Sequence, residues 1–116
     1  MASRKIMQGD SYAIPFVITL NEKTSITPDM VSEIEVCIGA DDVNAVRKTY
    51  TSGGIWYDTI AKKWYFRMNQ EETLSMDPGG YNAIARVKFN GDSNADVIGV
   101  KIGSIVVNDT YSEEVI

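Results

Sequence analysis

Apolar and polar residues alternate along most of this chain, and that period of two predicts strands. Tyr12, Ile14, Phe16, Ile18 and Leu20 share one parity, with Ala13, Pro15, Val17 and Thr19 on the other. Successive strand side chains point to opposite faces, so Tyr12 to Leu20 is expected as one half-buried strand. Pro15 has no N–H for a ladder and suggests an edge position or a break where the strand changes partner. Val31 to Ile38 repeats the pattern, with Ile34, Val36 and Ile38 inward and Glu33, Glu35 and Cys37 outward. Val46 to Thr51 is a weaker strand, closed by Ser52-Gly53-Gly54. Ile55 to Asp58 and Lys63 to Met68 read as a hairpin joined by residues 59–62. On its second arm Trp64, Phe66 and Met68 share one face, and Tyr65 and Arg67 the other. Tyr81 to Phe89 and Val97 to Asn108 complete the strand set, and Gly99 and Gly103 suggest a bulge or a close backbone approach in the last.

One segment breaks the alternation. Asn69 is a good N-cap, Glu71 and Glu72 favour a helix N-terminus, and Asp77-Pro78-Gly79-Gly80 stops any helix within two turns. The spacing Asp77, Gly79, Tyr81 resembles the corner before a central strand of an immunoglobulin-like sandwich. There a tyrosine hydroxyl bonds back to the backbone a few residues upstream. The expected fold is therefore all-β: an immunoglobulin-like antiparallel β-sandwich of about seven strands, with one short helical turn near 70–76. Residues 1–116 are expected to form a single domain, since no repeat or linker interrupts them.

A chain of 116 residues buries roughly 65% of its unfolded surface and needs no staple to fold. Cys37 is the single cysteine, so no internal disulfide forms. Two residues after Tyr81, where an antibody-type domain carries its second cysteine, stands Ala83. The net charge of −5 argues against nucleic acid and against an anionic membrane surface, both of which call for clustered Lys and Arg. No stretch is apolar enough for a transmembrane helix, and the first residues do not read as a signal peptide, so synthesis in a reducing cytoplasm is expected.

The chain contains no histidine, which removes most general-base, triad and zinc chemistry. Cys37 has no histidine to activate it and reads as a spectator thiol. Asp92, Asn94 and Asp96 mimic the start of a calcium loop, but Val97 stands where glycine is required and Gly103 where glutamate closes the loop. Neither glycine pair resembles a phosphate loop. No catalytic residue, cofactor or metal is therefore expected, and the chain reads as a non-enzyme. The aromatic pairs Trp56-Tyr57 and Trp64-Tyr65 remain. Adjacent strand residues face opposite ways, which makes Tyr65 and one of Trp56 or Tyr57 candidates for an exposed surface. Such rings bind a protein partner or a sugar, or simply pack across the hairpin.

Several segments together resemble small immunoglobulin-like domains of tailed bacteriophages and prophages, including the N-terminal domain of upper baseplate proteins. They are Met7-Gln8-Gly9-Asp10-Ser11-Tyr12-Ala13-Ile14-Pro15-Phe16, Tyr65-Phe66-Arg67-Met68, Gln70-Glu71-Glu72-Thr73 and Pro78-Gly79-Gly80-Tyr81. The resemblance implies a virion structural protein of the tail or baseplate, which contacts other virion proteins or copies of itself. The strand edge near Pro15 and the segment Tyr111 to Ile116 are then the candidate contact elements. The alternative is a small carbohydrate-binding sandwich that uses Trp56 or Tyr57 with Tyr65.

Overall fold

The computed structural model describes residues 3–20, 24–40, 43–91 and 97–110. Two sheets form the sandwich. The first has strands in the order β1 (Ser3–Met7), β10 (Val97–Asn108), β9 (Gly79–Phe89), β5 (Val31–Ala40), β6 (Val43–Thr49). The second has the order β2 (Tyr12–Phe16), β8 (Lys63–Met68), β7 (Ile55–Asp58). A two-residue pair, β3 (Thr19–Leu20) and β4 (Thr24–Ser25), and a 3-10 turn (Pro28–Met30) link β2 to β5. The helical turn α1 (Gln70–Leu74) links β8 to β9.

This is the strand order of an immunoglobulin-like sandwich. β2, β8 and β7 lie in one sheet, and the long central strands β5, β9 and β10 lie in the other. Among the described residues the pairings are antiparallel except one: β1 runs parallel to β10, from Ser3 opposite Ser104 to Met7 opposite Asn108. That strand is absent from the sequence expectation. With Ile6 its one buried residue among those whose burial is described, it carries too little local signal to be read.

The period of two is otherwise obeyed. Ile34, Val36 and Ile38 are fully buried, as are Ala85 and Val87 on β9. From the other sheet Ile14, Phe16, Ile55, Trp64, Phe66 and Met68 enter the same core. Small residues on β9 thus share the interior with large aromatics on β2 and β8, which fills the space between sheets without a disulfide. The Trp64 indole N–H donates to the Ile26 carbonyl at 2.8 Å, so its one polar group is satisfied in the core.

Several boundaries differ from expectation, each for a physical reason. The strand from Tyr12 ends at Phe16, because Val17 and Ile18 leave the ladder and the Ile18 carbonyl accepts instead from the Ile26 N–H at 2.9 Å. β5 runs on to Ala40, and β6 starts at Val43 rather than Val46. The bulge in β10 falls between Lys101 and Gly103, with the ladder regular through Gly99. Gly103 has φ of 155°. Ile102 and Gly103 are both buried there, so the inward set switches from even to odd positions before Ile105 and Val107. β2 is an edge strand, as Pro15 requires.

The corner forms as its spacing predicts. The Tyr81 hydroxyl donates to the Asp77 carbonyl at 2.6 Å, and Asp77 stands two residues before β9 begins at Gly79. Phenylalanine at Tyr81 keeps the packing and removes that bond. Tyr81→Phe should cost about 1 kcal/mol in urea unfolding, and an unchanged midpoint would mean that the bond contributes nothing.

Candidate functional site

The outer face of the three-stranded sheet carries the sequence-predicted aromatics. Cross-strand register puts Pro15 opposite Tyr65, and Tyr65 opposite Trp56. Trp56 and Tyr65 stack with ring centroids 5.8 Å apart and planes 13° from parallel. Trp56 is 37% exposed, and Tyr65 half-buried. Tyr57 does not belong to this surface. It points to the other side of β7 and meets Trp64 edge-on at 5.0 Å, packed against the core. Register decides this, because Tyr57 pairs with buried Trp64 and Trp56 with outward Tyr65.

The rings also limit each other. A stacked pair covers one face of each ring, so the two do not lie side by side as one flat platform. Around them stand Lys63 and Arg67, both exposed and on the same face of β8 as Tyr65. Asp58, opposite Lys63, turns its carboxylate into the hairpin loop, where Oδ1 accepts from the N–H groups of Ile60 and Ala61 at 2.8 and 3.0 Å. Ile60 at the loop tip is 93% exposed.

The outer face of the five-stranded sheet differs. Glu35 on β5 takes Arg47 of β6 at 2.5 Å and Arg86 of β9 at 3.8 Å. The bond from Arg47 is the main reason that the Glu35 carboxyl sits below its ordinary range. Cys37, half-buried beside it, is a free thiol. Burial first, and the neighbouring Glu35 carboxylate second, push that thiol up, which leaves little thiolate at neutral pH.

The remaining motif segments meet at one end of the sandwich. Asn69 caps α1 in a reciprocal box: its Oδ1 accepts from the Glu72 N–H at 2.8 Å, and Glu72 accepts from the Asn69 N–H at 3.0 Å. Thr73, 1% exposed, accepts from the Gly9 N–H at 2.9 Å and donates to the Asp10 carbonyl at 2.9 Å. Gln8 Nε2 donates to the Met76 carbonyl at 2.9 Å. Gly9 holds φ of 88°, a left-handed conformation that side chains rarely adopt. Asp77, Gly79 and Tyr81 form the adjoining corner. The Gly-Asp segment and the Gln-Glu-Glu-Thr segment are therefore two halves of one hydrogen-bonded clamp. Nothing in the local sequence of either marks the other as its partner.

Among the described residues, no group of three or more His, Cys, Asp or Glu side chains is placed to hold a metal ion, and no helix is long and apolar enough to cross a membrane. The residues Asp92, Asn94 and Asp96 and the segment Tyr111 to Ile116 lie outside the described residues. Comparison with protein-family models, with curated proteins and with solved structures finds no match.

Glu33 offers a pH test of this framework. Its burial alone would raise the carboxyl. Bonds from the Thr51 hydroxyl and from the N–H groups of Thr51, Ile34 and Tyr50 outweigh that and hold it below the ordinary range. A lowered folded value means stability that is complete above the unfolded value and lost as pH falls through the folded one. Glu33→Gln should lower the urea midpoint at neutral pH, and the gap to wild type should close as pH drops into the acid range. A gap that stays constant with pH would show that the charge plays no part.

Proposed function

We propose that this chain is a non-enzymatic structural and interaction domain of a phage or prophage virion, in the tail or baseplate, that works through protein–protein contacts. The observation that carries this reading is the way the resembling segments come together. Gln8-Gly9-Asp10, Thr73 and Gly79-Gly80-Tyr81 are scattered in sequence but build one continuous end of the sandwich. The resemblance thus rests on a set of residues that maintain a scaffold. A scaffold domain leaves its outer faces free to vary with its neighbours.

Two further features support binding over chemistry. The stacked Trp56–Tyr65 pair is an aromatic surface of the type that anchors protein contacts. The thiol at Cys37 is pushed away from its reactive form. The carbohydrate reading keeps the outer faces of Trp56 and Tyr65 but loses Tyr57, which packs inward. It therefore ranks second.

The direct test is particle composition. Particles from the phage or induced prophage that encodes the chain should be banded on a density gradient and analysed by mass spectrometry. The chain should be present in whole particles or isolated tails, at a stoichiometry set by the symmetry of its position. Its absence from purified particles would overturn the virion assignment, and its presence only in unassembled fractions would make it an assembly factor.

A further inference from the structure

The outer face of the three-stranded sheet has a charge pattern that the aromatics alone do not explain. Along β8, Lys63, Tyr65 and Arg67 point outward in succession. Across the strands, Pro15, Tyr65 and Trp56 form an apolar row. The two lines cross at Tyr65. Among the described residues Lys63 and Arg67 form no ion pair, and neither does Lys62 in the adjoining loop. Asp58, the nearby carboxylate, is engaged by backbone N–H groups of the turn. On the opposite sheet face, by contrast, Arg47 and Arg86 share Glu35.

This is an unusual place for unpaired cations, because the chain as a whole carries a net charge of −5. A patch of opposite sign on an acidic domain is an electrostatic address for an anionic partner, and it sets orientation and association rate. Its apolar centre supplies the desolvated contact that charge alone does not give.

We propose that this face, centred on Tyr65 and Trp56 and flanked by Lys63 and Arg67, docks an acidic segment of a partner protein. Strand geometry specifies the segment. Lys63 and Arg67 are four residues apart on one strand, a separation of roughly 13 Å. The partner therefore presents two carboxylates about that distance apart, with an apolar or aromatic side chain between them that packs on Trp56. An extended segment with acidic residues four positions apart and an apolar residue midway meets both requirements. This deepens the protein-contact reading of the preceding subsection and rests on it.

The test begins with a random dodecapeptide display library selected on the immobilised full chain. Selected peptides are then synthesised, and their binding is followed by fluorescence polarisation at low and high salt. The enriched peptides should carry carboxylates on both sides of an apolar residue. Their affinity should fall at least tenfold in Trp56→Ala and in the double variant Lys63→Glu/Arg67→Glu, and also at high salt. The double variant alters only exposed side chains, so it reports on binding even where Trp56→Ala weakens the fold. Reversing the peptide charges to lysine should restore binding to that double variant. Enrichment of neutral or basic peptides, or binding unaffected by these substitutions, would overturn the proposal. So would self-association of the chain that depends on the same residues, which would assign the face to a second copy. Selective binding to an anionic glycan on an array, lost with Trp56→Ala, would assign it to a sugar. If the acidic peptides bind elsewhere on the chain, this face is wrong while the protein-contact reading stands.

Discussion

The buried hydroxyl of Thr73 is the point on which the two sheets depend. β1 belongs to the five-stranded sheet and β2 to the three-stranded one, so the chain crosses between sheets at Gln8 to Ser11. The last of the later crossings runs through α1, between β8 and β9. Thr73 joins these crossings by accepting from Gly9 and donating to Asp10. Gln8 adds a bond to Met76, and the Gln8 N–H reaches the Asn108 carbonyl at 2.8 Å at the end of β10. An antibody-type sandwich fixes its sheets covalently. Here the equivalent constraint is packing through the middle and a hydrogen-bonded clamp at one end. The cost of leaving such buried groups unpaired makes the clamp selective for its own geometry.

With the sheets fixed from within, the outer faces are released for other purposes, and the two differ. The five-stranded face is electrostatically closed, with Glu35 placed between two arginines. The three-stranded face is open, with stacked aromatics between cations that lack carboxylate partners among the described residues. Exposed ion pairs contribute little to stability, so this contrast bears on recognition more than on folding.

Much of this was legible in sequence wherever a signal was local. The hairpin of β7 and β8, the cap at Asn69, the corner at Tyr81 and the burial parity of β5 and β9 all follow from residues within one element. What escaped was set by distant partners. β1 exists because β10 lies beside it, and a five-residue strand with a parallel partner about a hundred positions away has no local mark. The choice between Trp56 and Tyr57 needed the register with β8. The bulge position in β10 needed its ladder with β9, because Gly99 and Gly103 look alike in sequence. Thr73 looked like an ordinary residue of a polar turn. Only the fold brings Gly9 to it.

Native-state hydrogen exchange at the Gly9 amide tests the clamp most directly. In the wild-type chain Gly9 should exchange only with opening of the sandwich, with the same free energy as central amides of β9. In Thr73→Val, which removes the acceptor but keeps the shape, Gly9 should exchange orders of magnitude faster while the free energy of unfolding falls by about 1–3 kcal/mol. Exchange of the wild-type Gly9 amide at the rate of an exposed loop, with Thr73→Val as stable as wild type, would contradict the account.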